Sequence, residues 1–208
     1  VGPVRAAEQP SRRSRPQGKE PVGRERILDA AARLFVEHGY AATTTRSIST
    51  AVGIKQPSLY YHFPNKEAML VELLVATAEP SLMAARVLLA DAARPAVERL
   101  LELVRLDAHL LASGSSNVGS LYLLPETASP QCAPFREMRA ELLGIYESLT
   151  CAAIADGDAD AVAGTRTAAL VFSLVEGVIL RRGDEPGLDP DVVAQDIARA
   201  AARVLGVR

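Results

Sequence analysis

Residues 44–67 read TTRSISTAVGIKQPSLYYHFPNKE, and this stretch decides the fold. Its apolar positions are spaced for two short helices, 45–52 and 56–62, with Gly53 between them. Thr44 suits the N-cap of the first, because a threonine hydroxyl accepts from an orphan N–H of the first turn. Pro57 falls in the first turn of the second, where its missing N–H costs least. Pro64-Asn65 breaks that helix, and Asn65 is placed to cap another starting at Lys66. Upstream, Ile27, Leu28, Ala31, Leu34 and Phe35 recur at helical spacing, and Gly39 supplies a stop. Leu59 and Phe63 lie four apart and are expected to pack inward with Ile48.

Three short helices with a glycine-containing turn before the last make a helix-turn-helix layout. In such a unit the last helix enters the DNA major groove and the one before it crosses the backbone. With Leu59 and Phe63 inside, Gln56, Ser58, Tyr61 and His62 are left for the outer surface. Glutamine suits a bidentate contact to adenine and lysine suits guanine. Serine and tyrosine reach phosphate or a thymine methyl. Lys66 and the N–H groups of Glu67 and Ala68 sit at a helix start, a natural phosphate site.

Residues 24–73 closely resemble the DNA-binding domain of the TetR (tetracycline-repressor-like) family of bacterial regulators. The resemblance rests on Ile27-Leu28, Ala31-Ala32, Leu34-Phe35, Gly39-Tyr40, Thr43-Thr44, Ile48, Gly53-Ile54, Leu59-Tyr60-Tyr61-His62-Phe63 and Lys66-Glu67. It maps Arg46, Gln56, Ser58, Tyr60, Tyr61, His62 and Lys66 onto DNA-contacting positions, and Thr44, Thr45, Lys55 and Pro57 complete the expected interface. The bland alternative makes Tyr60 and His62 packing residues of a small domain. Two positions depart from the family pattern. Ser49 stands where alanine is usual, and Lys55 stands where serine or threonine often caps the reading helix. The resemblance implies an Ω-shaped homodimer of nine or ten helices, a C-terminal ligand pocket, and repression released by ligand.

Composition fits an all-α chain of about ten helices. The 208 residues are 49% hydrophobic and 4% aromatic, rich in helix formers. The formal net charge of −2 looks unsuited to a nucleic-acid partner, but it is an average. Residues 1–70 hold eleven basic and six acidic side chains, net +5, which leaves net −7 for the rest. The expected organisation is a flexible basic arm (1–22), a helix-turn-helix domain (23–70), and a ligand-binding and dimerisation domain (71–208). Arg12, Arg13 and Arg15 of the arm are candidates for the minor groove.

The second part reads as helices at 66–79, to 90, from 95 to 112, at 134–155, at 160–182 and from 189 until Gly206 ends it, with Pro80 ending or kinking the first. Residues 113–134 are irregular, with one short helix near 118–123. The segment 160–182 is apolar almost all round and so must be covered on every side. Its small residues Ala169, Ser173 and Gly177, with Phe172 and with Phe135, Leu142 and Leu149 of the preceding helix, are the expected dimer interface. The alternative is that these helices bury each other within one protomer.

Asp107 lies on the apolar stripe of Leu100, Val104 and Leu111, where an unpaired carboxylate is costly. It is either a polar anchor of a pocket or the partner of Arg105 or Arg139. His109, Asn117, Tyr122 and Glu126 are further candidates for lining a small-molecule site. The three histidines have no metal-ligand spacing, and Cys132 and Cys151 are isolated, so no metal or cofactor is expected. No apolar run of about 18 residues marks a membrane span, and a cytoplasmic location is expected. The expected partners are double-stranded operator DNA, a small-molecule effector and a second copy of the chain. Two other classes stay open: a helical enzyme using 107–126, and an architectural DNA binder that answers to no ligand.

Overall fold

The computed structural model describes residues 23–160 and 164–207. The arm (1–22), with Arg12, Arg13 and Arg15, lies outside the described residues. Every regular element among the described residues is helical. They are α1 (Arg24–His38), α2 (Thr45–Val52), α3 (Gln56–His62), α4 (Lys66–Ala90), α5 (Ala96–Ala112), α6 (Ala133–Ala155), α7 (Gly164–Asp184) and α8 (Pro190–Leu205). Three 3₁₀ segments, Val118–Leu123, Pro125–Ala128 and Pro130–Cys132, connect α5 to α6.

The boundaries follow the expected chemistry. Thr44 and Ser47 form a reciprocal capping box at α2, each side chain accepting from the other's backbone N–H. Gly53 closes α2 at φ +73°, a conformation only glycine adopts without strain. Asn65 accepts from the Ala68 N–H at 2.8 Å and opens α4. Lys55 makes no side-chain cap for α3, in keeping with its departure from the family pattern. Asp189 accepts from Asp191 and Val192, with Pro190 first in α8.

Pro80 does not end its helix. The expected helices at 66–79 and up to 90 are one, α4, with Pro80 inside it. An interior proline costs about 3 kcal/mol, but Leu82, Ala85 and Leu88 beyond it are buried, and each large side chain recovers about 1.5–3 kcal/mol. The merger, with the 3₁₀ form of 118–123, reduces the expected ten helices to eight α-helices among the described residues. One 18-residue window of α4 is apolar enough to cross a bilayer, yet Leu70, Leu73, Leu74, Ala78, Leu82 and Leu88 are buried against protein.

Two cores share α4. One joins Ile27, Phe35, Ile48, Leu59 and Phe63 to the first half of α4, as expected for Leu59, Phe63 and Ile48. Leu121, Cys132 and Phe135 belong to this same core, so the α5–α6 connection packs on the N-terminal helices. The other core joins the second half of α4 to α5, α6, α7 and α8.

Candidate nucleic-acid interface and effector site

Arg24, at the start of α1, fixes the end of α3. Its guanidinium donates to the His62 carbonyl at 2.9 Å, lies 4.1 Å over the Phe63 ring and pairs with Glu72 of α4. With Leu59 and Phe63 buried beneath, α3 has one face left. Tyr61 is 88% exposed on it and Tyr60 47%. Lys55, Pro57 and Ser58 are exposed beside them, and Thr44 and Arg46 are exposed on α2. Thr45 ties the two helices together. Its hydroxyl lies 3.1 Å from the Tyr60 hydroxyl and accepts from the Gln56 amide at 3.1 Å. The His62 ring is half-buried and meets Tyr61 edge-on.

Lys66 is turned the other way. Its ammonium donates to the carbonyls of Tyr40 (2.6 Å) and Thr43 (2.9 Å) and lies 4.1 Å over the Tyr40 ring. Burial holds its pKa below the usual lysine value, and burial with Glu67 nearby pushes the Tyr40 hydroxyl up to about 12. The expected phosphate contact by Lys66 is therefore replaced by a brace on the α1–α2 turn. The reason is local: both carbonyls lie in the turn between α1 and α2, where the Tyr40 carbonyl also accepts from the Thr43 N–H at 3.3 Å.

The expected effector residues are dispersed. Asp107 and Tyr122 line one small cavity between α4, α5, α6 and α7, together with Ser81, Arg139, Phe172 and Glu176. At about 20 Å³ it has room for a single water. Asp107 accepts from the Ser81 hydroxyl (2.7 Å) and from the Tyr146 hydroxyl (3.0 Å). It has neither Arg105 nor Arg139 as partner; Arg139 pairs with Glu176 instead, at 2.5 Å from its Nε. Burial pushes the Asp107 carboxyl up to about 6, opposed by its two hydroxyl donors. Burial and the neighbouring Asp107 raise both Tyr122 and Tyr146.

His109 faces away from this cavity. It lies 3.1 Å from Asp191, in a cleft between α5 and α8. Residues two apart on a helix do not share a face. Asn117 donates to the Ile179 carbonyl at 2.8 Å and so ties its loop to α7. Glu126 lies towards the N-terminal helices, where its charge acts on Tyr40 and Lys66. Of the 107–126 candidates, Asp107 and Tyr122 thus share one cavity, whereas His109, Asn117 and Glu126 are engaged elsewhere. Ser81, Tyr146 and Glu176 were missed in the sequence. Ser81 follows the proline that seemed to end a helix, and Tyr146 reads as core.

The expected dimer residues divide by helix face. Phe135, Leu142, Leu149 and Phe172 are buried within the protomer and are not available to a partner. Their faces of α6 and α7 point at α4 and α5, because a long helix turns only one stripe to its own core. Ala169, Ser173 and Gly177 are exposed, flanked by Leu170 and Leu180 at 60% and 61% exposure.

Residues 27–73 match the family described as bacterial regulatory proteins, tetR family. The fold is similar to the crystal structure of AmtR from Mycobacterium smegmatis, with a TM-score of 0.82 and 43% identity over 93% of this chain and 91% of that one. The HTH-type transcriptional repressor KstR2 of Rhodococcus jostii is 53% identical over 51 residues, 24% of this chain and 25% of that protein. The class D tetracycline repressor protein of Escherichia coli is 44% identical over 54 residues, 26% of this chain and 25% of that protein. The chain thus spans about a quarter of the length of these two repressors, and the family match, 27–73, holds most of α1 and all of α2 and α3.

Proposed function

The chain belongs to the TetR family of bacterial regulatory proteins, and from that premise we propose that it is a homodimeric, ligand-responsive repressor that binds a palindromic operator. The observation that carries the reading is the outer face of α2 and α3. A buried apolar side fixes α3, and Tyr61 stands almost fully exposed beside Lys55, Ser58 and Arg46. A helix locked from behind, with donors in front, is what the major groove requires.

The proposed contact set is Thr44, Thr45, Arg46, Lys55, Gln56, Pro57, Ser58, Tyr60, Tyr61 and His62. Residues 23–70 form the DNA-binding unit and 71–208 the effector and dimerisation unit. Two copies joined through the exposed stripe of α7 would present their α3 helices to successive major grooves, about 34–36 Å apart. An effector that binds better to a different spacing shifts the population away from DNA.

The test is binding of the purified chain to the DNA upstream of its own coding region. Tyr61→Ala and Gln56→Ala are each expected to weaken specific binding by about 1–3 kcal/mol with dimerisation unchanged. Unchanged operator affinity in both variants would remove α3 from the interface. Equal operator affinity across a broad metabolite panel would favour the architectural reading instead.

A further inference from the structure

The cavity around Asp107 has a chemical bias that names a class of effector. Asp107 is buried, and its two hydroxyl donors occupy one site on each oxygen. A carboxylate oxygen accepts twice, so both retain capacity. No basic side chain lies within ion-pair distance of Asp107 among the described residues. Across the cavity, Glu176 is paired with Arg139. The lining therefore holds two carboxylates against one guanidinium, an excess of one negative charge. The Arg139 guanidinium also lies 5.1 Å from the centre of the Phe172 ring, so this wall already holds a cation against an aromatic face. Ala78, Leu111 and Leu142 supply the apolar remainder.

Arg139, Glu176 and Tyr122 form a shared wall. On its far side they line a groove of about 390 Å³ beside Ser173, Gly177 and Leu180. That volume is in the range of small-molecule sites, whereas the inner cavity admits one water. The Arg139–Glu176 pair is thus a partition between a roomy groove and an anionic recess.

Resting on the effector reading above, we infer that the effector is a small organic cation, a protonated amine or amidinium with a short apolar tail, which reaches Asp107 from the α6–α7 groove by parting Arg139 from Glu176. The ligand's N–H groups take the free acceptor sites of Asp107, and Glu176 faces them once Arg139 swings into the groove. A carboxylate ligand would meet Asp107 unpaired. Parting the pair removes one tie between α6 and α7, and the groove borders Ser173 and Gly177 of the proposed dimer face, so the ligand would act where the copies meet.

The probes are n-butylammonium, acetamidinium and guanidinium at millimolar concentration, with n-butanol and butyrate as neutral and anionic counterparts. Melting temperature and operator affinity are read in parallel on the full chain. At least one cation is expected to raise the melting temperature and weaken operator binding, with both counterparts silent. Asp107→Asn is expected to weaken the cation response about thirtyfold or more while keeping operator affinity. Glu176→Gln, which keeps shape and removes the second carboxylate, is expected to weaken it as well; it decides the matter should Asp107→Asn not fold. Cations without effect, counterparts as active as the cations, or a full response in the variant that folds would overturn the inference. Operator binding that is intact but blind to cations sinks this inference alone. Absence of operator binding sinks the repressor reading, while the melting shift still tests the cation site.

Discussion

Asp107 is held by hydroxyls where charge complementarity along the sequence suggested an arginine. The consequence is measurable. Its carboxyl is raised from 3.8 to about 6, mainly by burial, so between about pH 4 and 6 the folded chain keeps a proton there that the unfolded chain releases, and above that range it is a carboxylate. A raised carboxyl contributes stability that is fully present below about pH 4 and is lost as pH rises through about 6. Wild type should therefore lose stability relative to Asp107→Asn across that window, by an amount on the order of 3 kcal/mol. Denaturant unfolding of both proteins at a series of pH values checks this; a pH-independent difference would contradict it. Asp107 stands out in the sequence because a carboxylate is conspicuous on an apolar stripe, whereas Tyr122 is marked only by its place in the irregular segment. The partners of Asp107, Ser81 and Tyr146, were not legible, since a hydroxyl carries no charge to match and tyrosine fits a core equally well.

The helices were legible where caps and periodicity agreed, as at Thr44 of α2, Asn65 of α4 and Asp189 of α8. Pro80 misled because sequence shows the lost hydrogen bond but not the burial beyond it. The dimer surface misled for a related reason. Periodicity reveals that α6 and α7 have apolar stripes but not which stripe meets the protomer's own core. The exposed stripe of α7 yields an element-scale expectation. Leu170→Glu with Leu180→Glu should weaken dimerisation about thirtyfold or more, because charges would enter the centre of an apolar contact. Phe172→Ala should instead lower stability by about 3–5 kcal/mol through a cavity in the protomer core. Light scattering and thermal unfolding separate the two. A double-glutamate variant that stays dimeric would move the interface elsewhere. Arg182 offers a further check. It is buried near the end of α7 and donates to the carbonyls of Leu111, Ser113 and Gly114, closing α5. Arg182→Met should cost about 2–3 kcal/mol in unfolding free energy; unchanged stability would show that water replaces it fully.

Across the whole molecule, the net charge of −2 conceals a basic N-terminal third and an acidic remainder. That division fits phosphate contact at one end, and it makes binding salt-dependent. Arg46→Gln is expected to flatten the slope of log affinity against log salt by about one per protomer; an unchanged slope would place Arg46 off the backbone. The two ends are also physically continuous. Tyr122 lines the Asp107 cavity, and its ring centre lies 4.6 Å from that of Phe135, which belongs to the core beneath α1, α2 and α3. No sequence pattern announced this, because 113–134 has no periodicity to read and its role comes from long-range packing. The central claim is that a dimer reads DNA through the exposed face of α3. Footprinting and fluorescence anisotropy on the chain's own upstream DNA, wild type against Tyr61→Ala, test it most directly. A palindromic footprint is expected, with half-sites one helical turn apart, bound about 5- to 150-fold more weakly by the variant. A footprint that the variant reproduces at full affinity, or none at all from a well-folded dimer, would contradict it.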